Sequence, residues 1–533
     1  MDTVTIVIDH STIPAESSWR QRRGWLISAT AHGAVLLLLA VAVGQRVNPP
    51  NIDPPPFPPA NIMIPVVQEP KKPEPSIIKP TIEPPVIDQI VDDPTNVTVD
   101  NQDKLDSPID PVDVRDQIAS VKVTDNPTPS QTDGASNAMA FMGPAGGGRP
   151  PSGLGPRGRP TGPGKGRPHG RETYNAIKAS LQWFSRHQSP DGHWSVAGYQ
   201  NNCNVEGPRC EPGTAYTGRD GDTACTSLAL LAFLGNGHDG VLTTPHRKVV
   251  ARGLQWLVGQ QRADGSFGDR NYEHAVAVMA LADALAMNGA RGKALQEPAQ
   301  KGINVILARQ NPAPVGTYGS GWDYSKPNPK RDDSSVTGWN LMALKSGLIA
   351  GLSVGKGFAG GKAWVERSWQ LANKDFARLT PYDSSVFPYS VDPTTGTTER
   401  DHLSGLGATC AAFVGYHRGE VLIETLVNRI VAVDLPKMMT WPCNTYLLYY
   451  DTMAMFQATS DDKMSDPRWV KWYAPVTKML IDGQRREDGC FNGSWDFSGT
   501  QFHGHDTGRL LSTALCCLSL ETCDRFNIAT LAH

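Results

Sequence analysis

Acidic and histidine side chains recur beyond residue 200, each directly before an apolar stretch of the chain or at its start. Carboxylates and imidazoles can exchange protons with a substrate, and they can bind a cation or a polar ligand. Asp, Asn, Ser and Thr at the same positions can instead cap the free N–H groups of a helix start. The sequence therefore leaves open both a ligand-binding ring and a set of helix caps. The ligand-binding candidates are Asp222, Glu273, His274, Asp333, His402, His505 and Asp506.

Three smaller groups could carry more specific chemistry. Asp332 and Asp333 are weak catalytic candidates, because an acid kept protonated by burial can donate a proton. His503, His505 and Asp506 offer ligand types that zinc binds, but His-x-His in a loop is often incidental, and no cofactor is expected. Cys203 and Cys210 share a short polar segment and form the predicted disulfide if this region is extracytoplasmic.

A repeated phrase indicates which elements must position these residues. An apolar helix end is followed by Gln, then by Asp-Gly, then by an aromatic residue. Asp-Gly favours a tight turn, and repetition at wide spacing indicates an array of similar units. The copies contain Trp183, Gln188, Asp191, Gly192 and Trp194; Gln261, Asp264, Gly265 and Phe267; Gln310, with an insertion before Trp322; and Gln484, Asp488, Gly489 and Phe491.

The phrase resembles the QW repeat of the squalene cyclase and protein prenyltransferase superfamily, over roughly residues 171–533. The resemblance implies an all-α (α/α)6 toroid, in which parallel inner helices surround a central cavity. It also implies isoprenoid cyclisation through an Asp-x-Asp-Asp motif, or prenyl transfer with zinc held by Asp, Cys and His. Arg331-Asp332-Asp333-Ser334 lacks the first arrangement, and the spacing of His503, His505, Asp506 and Cys516 does not match the second.

Apolar stretches between the phrases are predicted to be the inner helices. Several are apolar nearly all round, which indicates burial, yet they are too short to span a bilayer. These stretches are 223–234, 274–287, 336–349, 403–416, 446–456 and 510–523. Stretches 176–187, 249–260 and 421–433 mix apolar and charged residues at helical spacing and are predicted outer helices. Six helix pairs follow, with least support in 351–400, where no phrase is recognisable.

The first 170 residues are organised differently. Residues 24–44 are an uncharged run of 21 residues, long enough for a transmembrane anchor, and arginines directly before it favour a cytoplasmic segment over 1–23. Residues 45–170 are rich in Pro and Gly and are predicted to be a disordered linker. A cleaved signal peptide is the alternative, since Ala40-Val41-Ala42 resembles a cleavage site. These features predict a single-pass inner-membrane protein with a periplasmic C-terminal toroid.

Ser28 and His32 lie four residues apart on one face of the predicted anchor. An ionisable residue inside a membrane helix is costly and suggests a function. This pair, followed by a Pro-rich spacer, resembles the N-terminus of TonB-type energy transducers. The resemblance implies that Ser28 and His32 couple the chain to a proton-driven inner-membrane motor complex. The toroid takes the place of that family's receptor-binding domain, and a simple membrane tether is the alternative.

The resulting hypothesis is a membrane-anchored extracytoplasmic toroid that binds a lipid, peptide or glycan in its cavity. The net charge of −3 predicts no nucleic-acid partner. A terpene cyclase or prenyltransferase-type enzyme acting on isoprenoids is the first alternative, and a TonB-like motor-coupled envelope protein is the second. The unmatched catalytic motifs favour binding over catalysis.

Overall fold

The computed structural model describes residues 170–214, 219–241, 244–313, 319–399, 402–459, 466–486, 489–497 and 504–525. Within these residues, helices alternate between an outer layer (odd numbers) and an inner layer (even numbers). In chain order they are α1 (Arg171–His187), α2 (Arg219–Gly235), α3 (Arg247–Gln260), α4 (Asn271–Asn288), α5 (Gln296–Ala308), α6 (Ser334–Ile349), α7 (Gly357–Ala372), α8 (Ser404–Phe413), α9 (Val421–Arg429), α10 (Thr445–Thr459), α11 (Pro467–Gly483) and α12 (Arg509–Leu520). Single-turn helices cover Gly504–Thr507 and Thr522–Arg525.

The inner helices form a closed ring. Each of α2, α4, α6, α8 and α10 packs against the next inner helix, and α12 returns to pack against α2. Every outer helix packs against at least one inner helix, and the last outer helix, α11, also packs against the first, α1. The described residues therefore form the predicted closed toroid of helix pairs.

Burial explains the two kinds of helix pattern. In the inner helix α4 nearly every side chain is buried, so the sequence shows no polar face. In the outer helix α3 the buried residues are Val250, Gly253, Leu254 and Leu257, which form one stripe at helical spacing. The outer helices therefore shield the inner ring with one face and present their charged residues to solvent.

The Gln of each repeated phrase joins its own loop to the next outer helix. Nε2 of Gln188 donates to the carbonyls of Gly192 and Val249, each at 2.8 Å. The same pair of bonds runs from Gln261 to Gly265 and Pro298, from Gln310 to Ser320 and Gly357, and from Gln484 to Gly493 and Ala176. Because Ala176 belongs to α1, the bond from Gln484 closes the ring.

The aromatic residue of each phrase is a buried anchor. The indole N–H groups of Trp194, Trp322 and Trp495 each donate at 2.8 Å to a carbonyl of the preceding outer helix. Their backbone N–H groups donate to threonine hydroxyls on the following inner helix, those of Thr226, Thr337 and Thr513.

The predicted register of the fourth copy was wrong. The roles assigned to Gly489 and Phe491 belong to Gly493 and Trp495, because a 3-10 turn at Gly489–Phe491 lengthens this loop. Spacing from Gln484 alone selected the first Gly and aromatic residue that followed it.

The stretch 351–400 contains two features that the sequence did not predict. One is the outer helix α7. The other is a pair of short strands, β2 (Ser390–Val391) and β3 (Thr398–Glu399), which form a small antiparallel sheet with β1 (Asp332–Asp333) in the order β1-β2-β3 and hold the loop after α7 to the loop before α6.

The predicted anchor at 24–44, the linker at 45–170 apart from its last residue, and the coupling candidates Ser28 and His32 lie outside the described residues. None of the helices in the described part of the chain is both long and apolar enough to cross a bilayer.

Candidate functional site

The starts of the inner helices enclose a cavity of about 150 Å³ at one end of the toroid. We call it the mouth cavity. Its wall includes Val196, Cys225, Leu228, Arg270, Tyr272, Glu273, Tyr324, Ser335, Trp339, Tyr389, Tyr446, Asp506 and Leu511. Because α2, α4, α6, α10 and α12 all contribute from their N-terminal turns, these five inner helices run parallel around a shared space, as the resemblance implies.

Aromatic side chains form the deep wall of the mouth cavity. The rings of Tyr272 and Trp339 lie 6.0 Å apart, and Trp339 stacks on Tyr449 at 5.9 Å. The hydroxyl of Tyr446 donates to the Ser335 carbonyl at 3.4 Å. Burial raises the pKa of Tyr272 and of Tyr446, so both phenols stay neutral at ordinary pH. The wall is therefore a rigid, uncharged aromatic surface.

Charged groups line the mouth beside this wall. Nε of Arg270 lies 3.4 Å from a carboxylate oxygen of Glu273, whose side chain is almost fully buried. The guanidinium of Arg331 lies over the ring of Tyr324 at 4.8 Å and over that of Tyr389 at 5.8 Å. The two tyrosine hydroxyls hydrogen-bond to each other at 2.6 Å. A ligand in the mouth cavity would meet both signs of charge and several hydrogen-bonding groups.

Two of the predicted ring residues, Glu273 and Asp506, line the mouth cavity together. Asp222 lies behind the wall, where it accepts a 2.7 Å hydrogen bond from the backbone N–H of Val196, and burial raises its pKa. His402 is exposed and is not part of the cavity wall. For His505 only the backbone is described, and His503 lies outside the described residues.

The catalytic candidates Asp332 and Asp333 have structural roles. Asp333 is the N-cap of α6: its carboxylate accepts from the backbone N–H of Val336 at 3.0 Å and pairs with Arg331 at 2.8 Å. Asp332 accepts from Asn311, Ser320 and the backbone of Gly321 at 2.6–3.1 Å, which organises the loop before Trp322. Both side chains are buried and neither belongs to the wall of the mouth cavity.

His274 also has a structural role, which explains why it was a misleading candidate. Its Nδ1 accepts from the backbone N–H of Phe267 at 3.2 Å, and its Nε2 donates to the Gly302 carbonyl at 3.0 Å. In the other copies of the phrase a threonine hydroxyl accepts the equivalent backbone bond, so His274 occupies the place of that threonine. It faces the outer helix α5 rather than the mouth cavity.

We expect His274→Thr to reduce the acid sensitivity of the toroid. Burial lowers the pKa of His274 to about 3, below the unfolded value near 6.5, so the unfolded state binds more protons between these values. Stability should therefore fall as pH drops through this range, by on the order of 2 kcal/mol at pH 4.5 for this group. Denaturation at pH 7 and pH 4.5 measures the difference, which should shrink in the variant.

The exposed His402 provides the control for this experiment. His402→Thr should leave the difference between pH 7 and pH 4.5 close to that of the unaltered chain. An unchanged difference in His274→Thr would show that His274 does not become protonated on unfolding in the way its burial implies.

The cysteines differ from the predicted pairing. All nine are free thiols, including Cys203 and Cys210, and Sγ of Cys210 lies 3.4 Å from Sγ of Cys490. Among the described residues, ligand atoms suited to a metal converge at His187, Cys210 and Cys490 and not at Asp506 or Cys516.

Sequence reasoning missed the aromatic wall. Tyr272, Trp339 and Tyr446 each lie in the first two turns of an inner helix, as Glu273 does. That shared position was a usable signal, but in helices that are apolar all round an aromatic residue is expected in the core.

No protein-family model and no curated protein matches the chain. Among solved structures, an unsaturated glucuronyl hydrolase from Bacillus sp. GL1 is 14% identical with a TM-score of 0.45, over 65% of this chain and 96% of that one. An α-1,6-mannanase, GH76A of Salegentibacter sp. HEL1_6, is 11% identical with a TM-score of 0.43, over 66% and 98%. The type II terpene cyclase MstE from Scytonema is 13% identical with a TM-score of 0.26, over 66% and 97%. These are resemblances of helical fold and assign no activity to this chain.

Proposed function

We propose that this chain is a membrane-anchored extracytoplasmic toroid that binds one ring-sized group of a ligand in the mouth cavity. The observation that supports it is the convergence of Tyr272, Trp339 and Tyr446 with Arg270 and Glu273 around a single space. Aromatic faces pack against the apolar side of a ligand, and a few placed polar groups then fix its orientation. The mouth cavity combines both kinds of contact.

The size of the mouth cavity limits the ligand. Its volume of about 150 Å³ is close to that of an engineered apolar cavity that holds benzene. Pockets for drug-sized ligands are larger, roughly 300–1,000 Å³. The enclosed space matches one six-membered ring and is small for a folded polyisoprenoid chain. This volume, with the structural roles of Asp332 and Asp333, favours binding over an isoprenoid cyclase or prenyltransferase.

Of the lipid, peptide and glycan ligands considered from the sequence, a glycan fits the wall best. A hexose has a C–H face that can pack on Tyr272 or Trp339, and hydroxyls that can hydrogen-bond to Glu273 and Arg270. A lipid chain would cover the Arg270–Glu273 ion pair with apolar groups and displace the solvent that reaches Arg270, which is unfavourable. We therefore propose a hexose-containing glycan.

Membrane attachment is part of the proposal and is supported by the sequence alone. The apolar run at 24–44 would hold the toroid at the outer side of the inner membrane, and the linker at 45–170 would set its reach. Coupling to a proton-driven motor through Ser28 and His32 is the second candidate function, favoured by the ionisable residue inside the run. If a proton-driven motor drives the protein, changing both residues to alanine should abolish its activity in cells. If the run is only a membrane anchor, the same change should leave that activity intact.

We expect Glu273→Gln to weaken glycan binding by tenfold or more. The change keeps the shape of the side chain but removes the charge, and a hydrogen bond to a charged group contributes about 1.5–3 kcal/mol. Calorimetric titration of the full chain with gluco-, manno- and N-acetylglucosamine oligosaccharides measures the affinity.

The matched control is Glu297→Gln, which alters an exposed glutamate on the outer helix α5 that pairs with Lys301. This variant should bind as the unaltered chain does. If no oligosaccharide binds, or if both variants bind equally well, the glycan proposal is wrong. Binding of phenylalanine-containing peptides instead would assign the mouth cavity to a peptide ligand.

A further inference from the structure

Three side chains that can ligate a metal meet where the first and last helix pairs join. The ligand atoms of His187, Cys210 and Cys490 all lie within 4.8 Å of one another. Nε2 of His187 is 3.2 Å from Sγ of Cys490, which is 3.4 Å from Sγ of Cys210. Cys203 interacts electrostatically with Cys490. All four residues are at most 2% exposed.

The imidazole of His187 is held in the orientation that a metal ligand needs. Its Nδ1 lies 2.7 Å from the Trp183 carbonyl. A carbonyl oxygen can only accept, so Nδ1 carries the hydrogen and the lone pair of Nε2 points towards the thiols. A bond from the second ring nitrogen to a backbone carbonyl is the usual support of a metal-bound histidine. Stacking on the Trp183 ring at 4.3 Å fixes the plane of the imidazole further.

We propose that His187, Cys210 and Cys490 hold a structural zinc ion, with Cys203 as the fourth ligand. Three sulfurs and one imidazole nitrogen are a standard ligand set for structural zinc, with Zn–S near 2.3 Å and Zn–N near 2.0–2.1 Å. In a tetrahedron of that size the ligand atoms lie roughly 3.5–3.8 Å apart. The observed separations of 3.2 and 3.4 Å within His187, Cys490 and Cys210 require only small side-chain movements to admit the ion. Cys203, which lies outside this group of converging ligand atoms, has to move closer to complete the tetrahedron.

The surroundings suit the charge of such a site. Three thiolates, a neutral imidazole and Zn²⁺ together carry one negative charge. Arg186, Arg209 and Arg509 all lie close enough to His187 to act on it electrostatically, and Arg209 donates to the Cys203 carbonyl. The backbone N–H of Cys210 donates to Sγ of Cys490 at 3.3 Å, a contact that stabilises a thiolate.

The zinc ion would join the two ends of the ring. His187 is the last residue of α1, Cys203 and Cys210 lie in the loop that precedes α2, and Cys490 follows α11. Metal binding would therefore add its free energy to closure of the toroid, since the ligands come together only in the folded chain. A disulfide between Cys210 and Cys490 is the competing state, because it would consume two of the three thiols and exclude the metal.

Metal analysis of the purified full chain tests the proposal. We expect elemental mass spectrometry to find one zinc per chain. Alkylation under non-reducing conditions should recover Cys210 and Cys490 as free thiols. Replacement by Co²⁺ should give thiolate charge-transfer bands and the visible bands of a tetrahedral site. Zinc-free protein that does not take up Co²⁺, or a Cys210–Cys490 disulfide in the purified chain, would overturn the proposal.

Variants identify the ligands. Cys490→Ser should lose the zinc and the cobalt bands, whereas Cys410→Ser, which alters a buried thiol on α8, should keep both. Cys203→Ser should weaken the cobalt charge-transfer band if Cys203 is the fourth ligand. Retention of full zinc by Cys490→Ser would contradict the site. If Cys490→Ser does not fold, the cobalt spectrum of the unaltered chain decides, and a chelator should then lower its melting temperature.

Discussion

Trp183→Ala should lower the free energy of unfolding of the toroid by about 3–5 kcal/mol. The side chain is fully buried in α1, where its ring packs against Phe184 at 5.2 Å and Tyr199 at 5.6 Å. Its indole N–H also donates to the Cys490 carbonyl at 3.0 Å. Alanine would leave a large cavity and would remove the indole donor of a buried carbonyl. Denaturation followed by circular dichroism measures the loss.

Trp256 on the outer helix α3 is the matched control. It is half-buried and stacks on His193 at 4.9 Å. Because solvent can fill the space that it leaves, Trp256→Ala should cost about 1 kcal/mol. Equal losses for the two variants, or an unchanged midpoint for Trp183→Ala, would contradict the placement of Trp183 as a core anchor.

Gly493→Ala should destabilise the toroid by about 3 kcal/mol or more. Gly493 has φ of +96°, which disfavours any side chain, and its loop packs closely on α1. A Cβ built there would lie 2.2 Å from the carbonyl oxygen of Ala179, so the backbone of α1 or of the loop would have to move. The Gly493 carbonyl also accepts a bond from Gln484, whose second bond, to Ala176, closes the ring, so the strain would fall on that junction.

Gly419 is the control that separates the two causes of this destabilisation, the positive φ and the close approach to α1. Its φ of +91° is nearly the same, but nothing lies within 4 Å of a built Cβ. Gly419→Ala should therefore cost only the backbone term, roughly 1–2 kcal/mol. Similar denaturation midpoints for the two variants would mean that the close approach to Ala179 does not limit stability.

The fold could be predicted largely because the repeated phrase consists of residues with local backbone roles. Gln188 bonds a carbonyl of its own loop and one of the next outer helix, Gly192 accepts a positive φ, and Trp194 anchors the loop, so each type is needed at a fixed distance from the helix end. The fourth copy was misaligned because its loop gained a turn, and no short-range rule fixes loop length. The outer helix α7 was missed because no phrase marks it.

The candidate site could be predicted only in part. Two of the ligand-binding candidates taken from helix starts, Glu273 and Asp506, line the mouth cavity, and their role in binding stays a prediction. Position at a helix start does not distinguish these two residues from Asp333, because a capping acid and an acid that faces the cavity occupy equivalent positions along a helix. The difference lies in which way each helix is rotated within the ring, and packing against neighbouring helices determines that rotation.

The bond from Gln484 to Ala176 has a mechanical consequence. If the segment before residue 170 tethers the toroid, a force that pulls on this segment is transmitted to α1. That helix is held from one side by Gln484 and from the other by the bond that Gln188 makes to Val249. A force applied to the N-terminal end of α1 is thus shared between the helix pairs on both sides of it. We therefore expect α1 to resist being pulled away from the ring as well as an internal helix does.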